Sequence, residues 1–120
     1  MNYTTIEQSK NLLELGLNPE SADMLFPWNG YSNIEIPVIG KTGNSSVLIP
    51  CWSVGALLEV MPVILKLRYR AFLTPHSVGY CCAYSDCSES FHVEDEKTAI
   101  NACYKMVVWL LENNYIKKGE

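Results

Sequence analysis

Five cysteines, two histidines and a short run of bases carry most of the chemistry open to this 120-residue chain. The cysteines are Cys51, Cys81, Cys82, Cys87 and Cys103, and the histidines are His76 and His92. A thiolate beside a cation and a histidine base is a nucleophile, which makes Cys81 with Arg70 and His92 a candidate for covalent catalysis. Cys82, Cys87, His92 and His76 are residue types that hold zinc, but no Cys-x-x-Cys spacing accompanies them. Lys66, Arg68 and Arg70 place three bases within five residues, the one strong local positive field. Phe72 follows them and offers a ring on which a base could stack, so this stretch is a candidate for phosphates or a single-stranded nucleic acid. Gly40-Lys41-Thr42 has the ending of a phosphate loop, but Glu35 stands where the motif needs its first glycine. The cradle of amides is then missing, and a hairpin turn is expected there. Glu94-Asp95-Glu96 could attract a cation, although acids at a helix start already suit the helix dipole.

These side chains are positioned by a predicted series of helices and strands. Thr4-Thr5-Ile6-Glu7 reads as a capping box on Thr4 and opens a helix over Thr5 to Leu15, with Gly16 as its left-handed stop. Asn18-Pro19-Glu20 starts a second, short helix to Leu25. Two strand-like stretches, Ile34 to Ile39 and Val47 to Ile49, flank the turn at Gly40 to Asn44 and suggest a small hairpin. Ser53 caps a helix that Pro62 ends near Met61, with Trp52 packed just before the cap. From Ile64 the apolar period becomes two: Leu65, Leu67, Tyr69, Ala71 and Leu73 face one way, and Lys66, Arg68, Arg70 and Phe72 the other. Val78 to Tyr84 and Phe91 to Val93 give two more strands. A last helix over Glu96 to Tyr115, capped by Asp95, carries the stripe Ala99, Cys103, Met106, Val107, Leu110 and Leu111.

Burial fixes the expected register, because a slip of one residue turns every side chain of a strand over. Pairing Leu73 with Val78 across a Thr74–Ser77 loop, and Tyr84 with Phe91, makes one face wholly apolar or aromatic. The other face then gathers Arg68, Arg70, Phe72, Cys81 and His92. Cys81 and His92 become diagonal neighbours about 7 Å apart, which is long for a hydrogen bond. The same register puts Cys82 and His92 on opposite faces, which breaks up the zinc set. The face therefore reads first as a solvated surface whose long basic side chains cover small residues, with docking of a protein partner or a second subunit as a variant of that reading. Nucleic-acid binding is the alternative, and a Cys/His enzyme ranks below that. No cofactor, metal or catalytic residue is expected. In the segment Phe26 to Tyr31, the aromatics Trp28 and Tyr31 are either a further contact surface or a lid on the core.

Composition narrows the class. Hydrophobic residues make up 48% of the chain and charged residues 18%, enough to bury one core and incompatible with a disordered chain. The net charge of −4 lies in residues 1–60, where two bases meet six acids; residues 61–120 balance seven of each. An acidic chain is a poor general nucleic-acid binder. No apolar run approaches the roughly 20 residues of a membrane span, and the first ten residues lack the pattern of a secretory signal. An odd number of cysteines without such a signal predicts reduced thiols and a cytoplasmic setting, in which Asn2-Tyr3-Thr4 and Asn44-Ser45-Ser46 have no glycosylation role.

The block Pro50-Cys51-Trp52-Ser53-Val54-Gly55-Ala56-Leu57-Leu58-Glu59-Val60-Met61-Pro62 resembles a P-x-W-S-x-G-A-L-L-E element of short prophage-associated proteins of gut bacteria. Thr5 to Lys10, Asn18 to Met24 and Met106 to Ile116 are similar to the two ends of the same proteins. The order of helix, strands and helix is also similar to the phage ABA-sandwich domain. The resemblance implies a small α+β fold and a mobile-element setting, and it brings no activity with it. The expected protein is one α+β domain over residues 1–120: a three-stranded antiparallel sheet, helices packed on one face, and an N-terminal helical pair. Its expected role is that of a small accessory protein that binds another macromolecule, with no membrane association.

Overall fold

The computed structural model describes residues 2–27, 36–42 and 48–117. Helix α1 spans Ile6–Glu14, and a single 3-10 turn follows at Pro19–Ser21. Strands β1 (Met24–Phe26), β2 (Val38–Ile39) and β3 (Ile49–Cys51) come next, then α2 (Val54–Val60). Strands β4 (Ile64–Leu65), β5 (Tyr69–His76), β6 (Gly79–Ser85) and β7 (Ser90–Glu96) lead into α3 (Ala99–Glu112). The strands form two antiparallel sheets, a three-stranded one in the order β2-β1-β3 and a four-stranded one in the order β4-β5-β6-β7. The class is α+β, as expected, but the sheet arrangement is richer than a single three-stranded layer.

Several differences have identifiable causes. The N-terminal helical pair is one helix and one 3-10 turn. Asn18 caps as expected, its side chain accepting from the Glu20 amide at 3.0 Å. The chain beyond Ala22 is instead drawn into β1, where Met24 to Phe26 pair with β2 on one side and β3 on the other. Val38–Ile39 and Ile49, described parts of the two stretches expected to form a hairpin, thus pair with β1 between them, while residues 34, 35 and 43–47 of that expectation lie outside the described residues. The α1 cap is Thr5, one residue later than expected, with Gln8 as its reciprocal partner. Thr4 is thereby released for a different task. Its hydroxyl accepts from the Trp52 amide at 3.0 Å, its amide donates to the Trp52 carbonyl at 2.9 Å, and Ser9 bonds the same hydroxyl at 2.8 Å. Thr4 is fully buried, so it fastens the N-terminus to the start of the α2 block.

Other local signals hold. Gly16, at φ +99°, ends α1 with the amide of Leu17 donating to Leu12 and that of Gly16 to Leu13. Ser53 caps α2, accepting from Ala56 at 3.1 Å, and Met61 closes that helix just ahead of Pro62. Asp23 receives the Ser53 amide and hydroxyl, tying β1 to α2. α3 begins three residues later than predicted. β7 runs on to Glu96, which pairs with Tyr80, and Thr98 is the cap. Strand pairing satisfies the backbone of Glu94 to Glu96, so the acids there never serve as a helix start.

One apolar cluster joins the elements. Trp52, Leu57, Tyr84, Cys103, Met106, Leu110 and Leu111 are buried at its centre, with α3 lying across β5, β6 and β7 and packed against α2. The Tyr84 hydroxyl donates to the Pro62 carbonyl at 2.6 Å, so this fully buried ring of β6 has its polar end satisfied. No helix among the described residues is long and apolar enough to cross a membrane.

Candidate functional site

The face of the four-stranded sheet turned away from α3 is the surface on which sequence reasoning placed its candidates. The β5–β6 hairpin is tighter than expected: His76 pairs with Gly79 across a two-residue turn, and Leu73 pairs with Cys82. That slip is an even number of residues, so both strands keep their faces. Tyr84 and Cys82 are buried toward α3, while Arg70, Phe72 and Thr74 are exposed on the other side.

Three of the rows that cross this outer face carry the candidate residues. Arg70 lies beside Ser85. Phe72 lies beside Ala83, which lies beside Val93. Thr74 lies beside Cys81, which lies beside Asp95. The middle row is apolar. Ala83 is fully covered, while Phe72 and Val93 are 39% and 43% exposed. No other residue in the row is polar, and Arg70 has no ion-pair partner among the described residues.

Arg68 does not belong to this face. The stretch from Ile64 does not run as one strand: it turns back at Lys66 and Leu67, both at positive φ, with the Arg68 amide donating to Leu65 at 3.1 Å. Two-residue turns of this hand usually carry Asn or Gly, so nothing in Lys-Leu announced it. Arg68 leaves the turn to pair with Asp86, and with Glu89 at 3.1 Å, and lies over the Tyr69 ring at 4.9 Å. The expected basic cluster is therefore divided, and Arg70 alone faces outward with the apolar row.

His92 is also displaced, to the opposite side of the sheet. A β-bulge between Tyr84 and Ser85 of β6 leaves Phe91 as an extra residue on β7, so Ser85 pairs with Ser90 but Tyr84 with His92. This odd shift turns the rest of β7 over. His92 stacks on Trp109 of α3 at 3.9 Å with the rings 6° from parallel, and its Nε2 bonds Glu94. Phe91 points the same way, stacking with Tyr69 at 4.8 Å and meeting Trp109 and Tyr115 edge-on. Lys66 lies 4.9 Å above the Phe91 ring. The place expected for His92 on the outer face is taken by Val93, which extends the apolar row.

The histidine that does reach the outer face is His76, which sequence reasoning weighed only as a zinc ligand. Its Nε2 bonds Asp95 at 2.6 Å, and its Nδ1 accepts from the Val78 amide at 3.3 Å. Both ring nitrogens are thereby occupied, so neither is free to take a proton from Cys81. Burial, and secondarily the Asp95 carboxylate, hold the Cys81 thiol above its ordinary pKa. Both effects oppose the thiolate that nucleophilic chemistry needs. Contact with the Cys103 thiol, followed by burial, pushes Cys82 far above the usual thiol range. Burial raises Cys51 to about 11. Among the described residues no three His, Cys, Asp or Glu side chains gather as a metal site. Trp28 and Tyr31 lie outside the described residues. The hollow between Ser21, Glu59, Met61 and Tyr115 brings together no convergent set of reactive groups among the described residues. Set beside known proteins, the chain matches no family model, no curated protein and no solved structure.

Proposed function

We propose that this chain is a small accessory protein of a prophage-like element and acts by binding a protein on the outer face of its four-stranded sheet. The reading is carried by the row Phe72–Ala83–Val93, an apolar strip on a sheet face that no described helix covers. Burying the exposed parts of Phe72 and Val93 against a partner would contribute at roughly 25 cal/mol per Å². Arg70, without an ion pair among the described residues, gives the strip a charged end that suits an acidic group. A nucleic-acid role has less support, because Arg68 is committed to Asp86 and Glu89 and the chain is acidic. An enzymatic role has less support still, because burial and Asp95 raise the Cys81 pKa and neither histidine is placed to act as its base. Buried free thiols at Cys51, Cys82 and Cys103 suit a reducing cytoplasm.

The test is site-specific photo-crosslinking in the native host. A photoreactive residue at Val93 should yield a protein adduct, one at exposed Glu14 of α1 should not, and Phe72→Glu should abolish the Val93 adduct. No adduct from Val93, or equal adducts from both positions, would sink the proposal.

A further inference from the structure

Resting on that reading of the outer face, we infer that its occupant is a second copy of the same chain. The face carries both halves of a charge pair at opposite corners. Arg70 lies on β5 one row before Phe72–Ala83–Val93, and Asp95 lies on β7 one row after it. Ala83 is on the central strand, midway between them. Consider a two-fold axis that lies in the contact plane, passes over Ala83 and is perpendicular to the line from Arg70 to Asp95. Rotation about it carries Arg70 of one copy onto Asp95 of the other, and the reverse pair forms by symmetry. The apolar rows then cross at the centre. Such an isologous contact closes on itself after two copies. The strands of the two sheets cross steeply, in the orthogonal class of sheet-on-sheet packing. Facing sheets lie about 10 Å apart, a gap that an arginine side chain spans.

The local chemistry is compatible with this arrangement. Asp95 is 62% exposed and uses Oδ1 for His76, leaving its second oxygen outward. Gly79, under the His76–Asp95 pair, adds no side chain to the face. Small residues, Ala83, Cys81 and Ser85, fill the central strand, so two sheets can approach closely there. An unrelated partner would need only to complement the strip. Self-pairing also accounts for an arginine without an ion pair among the described residues and an exposed aspartate, placed symmetrically about the strip.

Sedimentation velocity of the purified 120-residue chain, from about 1 to 300 µM, tests this. The expected species has twice the 13.5 kDa chain mass. Arg70→Glu or Asp95→Arg alone should weaken the dimer about tenfold or more, and the double charge reversal should restore it. Circular dichroism checks that each variant is folded, and the rescue separates lost pairing from lost fold. A monomer throughout the range overturns the inference, as does a dimer indifferent to both single changes. If a monomeric protein still gives a Val93 adduct with a different protein, self-pairing fails while the docking face stands. A monomer with no Val93 adduct removes both.

Discussion

The Asp86 carboxylate accepts from the amides of Ser88 and Glu89, each at 2.8 Å, and from the Ser88 hydroxyl at 2.9 Å, with Arg68 alongside. The two amide bonds, of Glu89 and then Ser88, are the main reason its carboxyl is held well below the usual carboxylate range. A depressed folded-state pKa means that protonation favours the unfolded chain. The stabilisation is complete above the unfolded value of about 3.9 and is lost as pH falls through the lower folded one. The thermal midpoint, followed by circular dichroism, should therefore drop once the pH passes below about 4. Asp86→Asn keeps an acceptor oxygen but no charge, so its midpoint should be lower at neutral pH and fall less on acidification. An unchanged acid limb in that variant would show that the turn carboxylate is not part of the acid response. The same turn anchors Arg68, whose loss to the outer face was invisible in the alternation of residues 64–73.

Among the elements, the end of the β6–β7 pair is set by a missing side chain. A Cβ at Gly79 would lie 2.2 Å from the Glu96 carbonyl oxygen, backbone that cannot give way without parting the strands. Gly79→Ala should cost about 1–3 kcal/mol in urea unfolding, the usual penalty of overpacking. Stability equal to wild type would mean that β7 has slack at this end. At its other end the bulge at Phe91 decides which rings meet α3. Alternation placed Phe91 inward and His92 outward, but the bulge turns both inward, so that Phe91 stacks on Tyr69, His92 stacks on Trp109, and Phe91 meets Trp109 edge-on. β4 and β5 give the same lesson: the apolar period of two continues through Lys66 and Leu67, although the chain reverses there. Helix ends were more legible, because Ser53, Asn18 and Gly16 act through bonds to their immediate neighbours.

Across the whole molecule, the five thiols report how far the common core extends. Cys51, Cys82 and Cys103 are fully buried, Cys81 is partly covered on the outer face, and Cys87 is exposed in the turn after β6. Maleimide labelling at about pH 7, read by peptide mass spectrometry, should modify Cys87 first and Cys81 slowly. Cys82 and Cys103 should react only as the protein unfolds in urea, and together, because β6 and α3 share one apolar cluster, and Cys51, fully buried beside Thr4, should wait on unfolding as well. Labelling of Cys103 alongside Cys87 in native conditions would show that α3 opens on its own. If the outer face pairs two copies, Cys81 should also become slower as protein concentration rises.

Sequence by itself determined the class, the caps at Asn18 and Ser53, the stops at Gly16 and before Pro62, the buried faces of β5 and β6, and the core stripe of α3. Each of these depends on residue type at short spacing: a cap reaches three residues, an amphipathic face repeats every two or 3.6. Tertiary structure decided the partners of β1, the reversal at Lys66-Leu67, the bulge at Phe91 and hence the membership of the outer face. A one-residue insertion in a strand costs little locally, yet it exchanges the two faces of everything beyond it. That is why His92 and Val93 changed places relative to expectation. The energy that fixes the shift comes from Trp109 and Tyr115, near the far end of the chain, and no window along β7 contains them.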